Sequence, residues 1–418
     1  MARMPTRTLL PATIAAFLCT AAVSHGAIRY AEVDGDGPAS GAGACPQIDP
    51  CDLQAAVEDP SVADGDEVIV LPGTYDLGSS SLRIDNRIVV RGPDSGQRPL
   101  ITGMGNNTTE ADLWLVRVQS GNGPQVAQLL DVDIASYGTN SLLIGPGEMN
   151  RVSVDHNGSG FSVACQMSVE ATINDSVCLA HNTNGIGIAF SLFGGDTTNS
   201  IRNVTAASVQ SHGISVFSGA GTQTLNIKNT IAVGASTDIH TGASGDGATA
   251  VNATSSNYGT IVEGGGSVTP VGTAGNQSAD PSFANFALGD LHQARNSPTI
   301  DAGADGVSAL DLDGQSRFQG ALPDIGAYEY DQIQPETTIT KRPKARTTSG
   351  RALLKFTANE PGSKFRCKVD RKPYRSCKSP LRMKRLASGR HKVAVKAVDP
   401  SGNADPSPAV AKWKVLPA

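Results

Sequence analysis

The chain has 418 residues, 46 of them Gly and 24 Pro, with aromatic side chains at 5% and a formal net charge of −5. That length allows two or three domains, and scarce aromatics beside abundant turn formers argue against a helical bundle and for many short strands. The modest total conceals a split: residues 27–334 carry 11 Lys and Arg against 34 Asp and Glu, a net of −23, whereas residues 335–418 carry 21 against 5, a net of +16.

In chain order, Arg3 and Arg7 precede an apolar run from Leu9 to Val23 and then Ser24-His-Gly-Ala27. This is the order of a secretory signal peptide, predicted over residues 1–26 with cleavage near Gly26 or Ala27. The run is too short for a stable membrane span, and no later stretch approaches the ~20 apolar residues that one needs. A secreted or cell-surface protein without a transmembrane segment is expected. Cys19 lies in the signal, after an Ala16-Phe-Leu18 that makes a poor lipid-attachment site. The other six cysteines form close pairs, Cys45/Cys51, Cys165/Cys178 and Cys367/Cys377, which an exported protein most simply uses as disulfides. No CxxC or His-x-x-x-His spacing supports zinc.

Cys51-Asp-Leu-Gln-Ala-Ala-Val57 predicts a short helix with Asp52 as its cap and Leu53, Ala56 and Val57 on one face, a plug for the open end of a stack of strands. Glu67-Val-Ile-Val-Leu71 starts the strands. They continue at Ile84, Ile88–Val90, Leu100–Ile101, Leu113–Val118 and Leu129–Ile134. A motif then recurs every ~25 residues: Asn150-Arg-Val-Ser-Val-Asp-His-Asn-Gly, Asn174-Asp-Ser-Val-Cys-Leu-Ala-His-Asn and Asn203-Val-Thr-Ala-Ala-Ser-Val-Gln-Ser-His-Gly, with weaker copies at Asn229 and Asn252. One copy cannot bury its own apolar face, so the copies stack as a parallel β-solenoid reaching about Val262. Asn150, Asn174, Asn203 and Asn229 suit turns with a left-handed backbone, where side-chain amides stack between coils.

Reading Leu130-Asp-Val-Asp-Ile134 as one strand points Asp131 and Asp133 outward, ~6.7 Å apart. Asp155 and His156 fall on the next coil and His181 on the one after, giving a candidate acid, base or metal cluster for polysaccharide chemistry. The alternative is that outward acids merely solvate an acidic solenoid. Asp301, Asp305, Asp311 and Asp313 have the oxygen ligands of a candidate Ca2+ site, with Asp324 and Glu329 nearby; Arg317 pairing with Asp324 or Glu329 is the alternative. Residues 335–418 begin after a linker near Gln334-Pro335. Their Lys341-Arg-Pro-Lys-Ala-Arg346 and the Arg382, Lys384 and Arg385 run suit an anionic envelope polymer. They carry no nucleic-acid-binding motif and few aromatics for stacking bases, so no nucleic acid is expected.

Asp52-Leu-Gln-Ala-Ala-Val57, Ala63-Asp-Gly-Asp-Glu-Val68 and Leu71-Pro-Gly-Thr-Tyr75 resemble the start of secreted bacterial β-helix proteins of the pectin-lyase-like superfamily. Ala279-Asp-Pro-Ser-Phe283, Asn296-Ser-Pro-Thr-Ile-Asp-Ala-Gly303, Leu310-Asp-Leu-Asp-Gly314, Arg317 and Pro323-Asp-Ile-Gly-Ala-Tyr-Glu329 resemble the choice-of-anchor Q domain, over about 279–330. Phe365-Arg-Cys-Lys-Val-Asp370, Cys377-Lys-Ser-Pro380 and Ala397-Val-Asp-Pro-Ser-Gly-Asn403 resemble a bacterial immunoglobulin-like domain. The resemblance implies a secreted or surface protein with no common activity. Ser211-His-Gly-Ile-Ser215 and Asn226-Ile-Lys-Asn229 echo polygalacturonase motifs at His212 and Lys228 without that family's paired aspartates. A pectate-lyase-like site has only Arg151 and Arg202 to offer as base. The expected fold is all-β: a right-handed parallel β-helix with an N-terminal cap over 27–334, then a small basic immunoglobulin-like sandwich over 335–418. The expected function is non-enzymatic glycan binding or adhesion at an extracellular or cell-wall polysaccharide; the alternative is a polysaccharide lyase or glycoside hydrolase.

Overall fold

The computed structural model describes residues 26–417 apart from 42, 95, 106–112, 121–125, 193, 305–307 and 400–401. Residues 1–25 of the expected signal peptide, 1–26, and the calcium candidate Asp305 lie outside the described residues. The body is a β-solenoid of parallel strands in three sheets of ten, eight and seven strands. Each coil contributes one strand to each sheet, so every sheet carries a column of inward side chains in register. In the ten-stranded sheet the column runs Val68, Val90, Leu129, Met149, Ile173, Ile201, Ile227. In the eight-stranded sheet it runs Leu82, Val116, Leu142, Cys165, Ile188, Ile214, Ile239. All of these are buried in one continuous core.

The first coil is closed as expected. The helix Leu53–Glu58 buries Leu53, Ala56 and Val57, and the Asp52 side chain accepts from the Ala55 amide at 3.0 Å. A strand that the sequence pattern did not single out, Ile28–Ala31, adds parallel to Glu67–Val70 and so covers the sheet edge. The Cys45–Cys51 disulfide ties this cap together. Cys165–Cys178 joins the strand Phe161–Met167 of the eight-stranded sheet to Val177–Ala180 of the seven-stranded one, with both residues fully buried.

One corner of the coil is built from left-handed residues: Asp131, Arg151, Asp175, Asn203, Asn229 and Ser255 all have φ between 47° and 56°. Asn203 and Asn229 stack as expected, Asn203 Nδ2 donating to Asp175 Oδ1 at 2.9 Å and Asn229 Nδ2 to Asn203 Oδ1 at 3.2 Å. Asn150 and Asn174 do not join them. They end the strands Gly147–Asn150 and Ala171–Asn174 one residue before the corner, and the left-handed places there go to Arg151 and Asp175.

After the last coil the chain folds back along the outside of the seven-stranded sheet. Leu291, Leu312 and Ala327 pack on Val177, Leu179 and Ala207, with Phe283, Phe286 and Tyr328 around them. These strands are therefore covered on both faces, which explains why Val177-Cys-Leu-Ala180 reads as a continuous apolar run rather than an alternating one.

Two small sheets follow. Thr337–Lys341, Ala352–Ala358 and Leu381–Met383 form one; Arg346–Thr347, Ala409–Val415, Gly389–Val398, Lys364–Val369 and Arg375–Cys377 form the other. They are antiparallel except at the edge pair of Arg346–Thr347 with Ala409–Val415. Leu354 and Phe356 from the first sheet meet Val393, Val395 and Trp413 from the second in a separate core, making a sandwich. The Cys367–Cys377 disulfide links two neighbouring strands of its larger sheet. Among the described residues no helix is long and apolar enough to cross a membrane.

Candidate functional site

The outward carboxylates of the solenoid do not form the cluster that the sequence suggests. Asp131 and Asp133 are not on one strand. Asp131 sits at the left-handed corner between Ala127–Leu130 and Asp133–Ser136, and Leu130 faces outward rather than into the core. Both Asp131 oxygens are held by Arg151 of the next coil, Nε at 2.7 Å and Nη2 at 2.5 Å. Asp133 lies 3.4 Å from Arg98 Nη2; burial raises its pKa, Arg98 opposes the rise and Asp313 adds to it.

His156 is inside the coil. Successive residues on a strand face opposite ways, so an exposed Asp155 places His156 inward, where it is fully buried with Nδ1 2.9 Å from Ser141 Oγ. Burial pushes its pKa down to about 4, with His181 contributing. Asp155 and His181 do come together, at 3.0 Å, with Asp155 about half exposed and His181 partly covered by the returning chain. Gly289, at φ +79°, lies so close that a β-carbon there would meet Leu179 and His181 at 3.0 and 3.4 Å. The remaining enzyme echoes are dispersed: His212 stacks on His240 in the eight-stranded sheet, while Arg202 and Lys228 are paired in register in the ten-stranded one.

The calcium candidates are likewise spoken for. Asp301 accepts from the Ala321 and Leu322 amides and from Gln332 Nε2. Asp311 is fully buried and accepts from the Gln315 and Glu329 amides, and Asp313 lies 2.8 Å from His292 Nε2. These three do not converge on one point.

What the stretch over 290–329 builds instead is a buried clamp. Arg317, with no exposed surface, uses all five of its N–H donors. They reach Asp175 Oδ1 from Nε and Nη2 at 3.1 and 2.8 Å, Glu329 Oε1 from Nη1 at 3.2 Å, and the carbonyls of Gly326 and Ala327. Pairing with Asp324 or Glu329 was the alternative to calcium that the sequence offered, and Glu329 is the one used. The second partner, Asp175 on the solenoid, was not, because 142 residues separate it from Arg317.

Burial is the first cause that pushes Asp311 and Asp324 up to about 6 and Glu329 up to about 8; Asp324 adds to the last and Arg317 opposes it. His292, between Asp313 and Asp290 and stacked 4.0 Å from Tyr328, is raised to about 9, chiefly by its bond to Asp313. A raised folded-state pKa contributes stability that is present below the unfolded value and is lost as pH rises through the folded value. For His292 that loss lies across pH 6.5 to 9 and for Glu329 across about 4.5 to 8, so above pH 6.5 both act in the same direction, clear of the range from about 4 to 6.5 in which His156 works the opposite way. Thermal midpoints should fall steadily between pH 6.5 and 9; a rising midpoint would contradict this reading of the clamp.

The strongest uncompensated feature is on the sandwich. Along its five-stranded sheet, cations stand directly opposite one another: Arg346 against Lys414, Arg390 against Lys414, Lys392 against Lys412, and Arg366 against Lys396. All are exposed except the half-buried Lys396. Tyr374 lies under the Lys396 and Lys368 ammonium groups, at 5.2 and 5.9 Å. Like charges directly opposite destabilise a sheet, and no salt bridge among the described residues offsets them. The nearby acid, Asp370, is taken by His391 Nδ1 and the Lys392 amide. Towards one edge a cleft of about 650 Å³ is bordered by Arg346, Arg371, Arg390, Lys392, Lys412 and Lys414.

Sequence reasoning placed the cations of this module in the runs Lys341–Arg346 and Arg382–Arg385. The face comes instead from alternate residues on separate strands, and its signal was the period-two spacing in Lys364-Phe-Arg-Cys-Lys368, Arg390-His-Lys392 and Lys412-Trp-Lys414. A flat array with strands ~4.8 Å apart and like-facing residues ~6.7 Å apart suits a linear polymer with regularly spaced negative charges. No protein-family model matches the chain, and no curated protein matches it.

Proposed function

We propose that this is an exported, non-catalytic surface protein that holds an acidic extracellular polysaccharide through the basic sheet of its C-terminal sandwich. The observation that carries the reading is the in-register set of unpaired cations, Arg390 with Lys414 and Lys392 with Lys412, which costs stability unless an anionic partner covers it. The signal-like start and three disulfides favour an oxidising, extracellular setting. The acidic solenoid then serves as the projecting body. Its outward amide ladder, Asn226 with Asn252 at 3.0 Å beside Asn174, is a second surface able to hydrogen-bond a glycan.

The finer relationships fit the same picture. The pectin-lyase-like reading rests on the coil motifs, and the immunoglobulin-like reading on the two-sheet sandwich. The choice-of-anchor Q reading is supported by the clamp, because its motif residue Arg317 fastens this stretch to Asp175 of the solenoid, while Glu329 accepts from Arg317 and from the Asp324 amide. Domain limits of 27–334 and 335–418 follow from the charge split.

Equilibrium binding of the mature chain to polygalacturonate and to neutral dextran tests the proposal. Binding to the first alone, weakening steeply from 50 to 500 mM NaCl, is expected of exposed point charges. Equal binding to both polymers would remove the basic face as the cause.

A further inference from the structure

We infer that Asp331, Glu360 and Asp399 form a calcium site that locks the basic sandwich to the chain returning along the solenoid. The three come from separate parts of the chain. Asp331 follows the clamp, Glu360 follows the strand Ala352–Ala358, and Asp399 follows Gly389–Val398. One carboxylate oxygen from each lies within 4.8 Å of the others. Oxygens that share an ion ~2.4 Å away stand at most ~4.8 Å apart, so this is the span of one coordination sphere.

A second observation points to a ligand. Asp399 is 4% exposed and its Oδ2 is buried without a hydrogen-bond partner; Glu360 Oε2 is buried and unpartnered as well. The other oxygens have ordinary roles: Asp399 Oδ1 accepts from the Asn403 amide at 2.7 Å, and Asp331 Oδ1 from the Ile333 amide at 2.9 Å. Among the described residues no Lys, Arg or His pairs with any of the three. An ionised carboxylate is not left buried and unpaired beside two others, so a cation or a shared proton must be there.

The donor set is all oxygen, which selects a hard cation. Its irregular origin in three loops suits calcium, which tolerates varied geometry, better than magnesium, which demands a regular octahedron. Gln319, whose Oε1 is also buried and unpartnered, borders a cleft of about 410 Å³ with Asp331 and Glu360, offering an approach and a further oxygen. The ion reinforces a contact already present, Asn403 Nδ2 donating to the Asp331 carbonyl at 2.6 Å. Two of the five acids in residues 335–418 are spent here, in a module that otherwise accumulates cations.

The test is calcium titration of the chelator-treated mature chain, followed by calorimetry and by thermal midpoint. Saturable binding of one ion and a midpoint several degrees higher in millimolar calcium, with a smaller rise in magnesium, are expected. Glu360→Gln and, independently, Asp399→Asn should weaken calcium binding at least tenfold. Each should also melt no lower than the parent in chelator, since one of three like charges is gone. Asp311→Asn should leave calcium binding unchanged. No calcium binding by the parent chain, or undiminished binding in both junction variants, would overturn the proposal in favour of a shared proton.

Discussion

Replacing Lys412 by Glu should weaken binding to polygalacturonate while making the sandwich more stable. In the parent chain Lys412 stands opposite Lys392, and Lys414 stands opposite Arg390. Putting a carboxylate opposite Lys392 exchanges a repulsive cross-strand pair for an attractive one, worth about 0.2–1 kcal/mol. The same change subtracts two units of charge from the face. Extending it to Lys392→Glu and Lys414→Glu should reduce affinity on the order of a hundredfold and flatten the salt dependence. The opposed signs are the informative part. A surface that is basic only for solubility has no polymer to lose, and a merely misfolded variant melts lower. Polymer binding and a denaturant midpoint measured on the single variant separate these cases; unchanged binding would show that the face is not the contact.

Arg317→Met should cost about 3–5 kcal/mol, the range expected when one partner of a buried ion pair is removed and the other charges stay behind. Asp175 and Glu329, each with a side chain 1% exposed, would be left without their common cation. The damage should be local at first. The clamp is what presses Leu291, Leu312 and Ala327 onto Val177, Leu179 and Ala207, so hydrogen exchange should quicken over 283–329 before it quickens in the coils. Adding Asp175→Asn and Glu329→Gln to the variant should return part of the lost stability, because neutral groups cost less to bury than unpaired charges. Raising the pH from 7 to 9 should widen the gap between parent and variant, since Glu329 ionises over that range and only the parent holds a cation against it. A parent-like denaturation curve for Arg317→Met would mean that the stretch is held by its apolar contacts alone.

The solenoid was legible because its determinants are local and repeated. A strand of four residues, a corner and a Gly recur, and each copy carries its own apolar alternation. The helical plug was legible too, since Asp52, Leu53, Ala56 and Val57 specify a cap and a face within six residues. The site was not. Leu130-Asp-Val-Asp-Ile134 alternates as well as any strand, and only the left-handed Asp131 reveals that a corner interrupts it. His156 faces inward by simple alternation, next to the exposed Asp155.

Long-range closure defeated the rest. The Asp175–Arg317 pair and the meeting of Asp331, Glu360 and Asp399 depend on how distant segments return, about which local pattern is silent. The apolar run Val177-Cys-Leu-Ala180 was the available hint that another layer covers that sheet and partly covers His181.

The most direct test of the central claim follows polymer retention and product release in the same tubes, with the mature chain on polygalacturonate, with and without calcium. Retention that is reversed by salt, with no new reducing ends and no unsaturated products, is the result expected of a binding surface on the sandwich. Product formation that survives reversal of Lys392, Lys412 and Lys414 would contradict it and return attention to Asp133, Asp155 and His181.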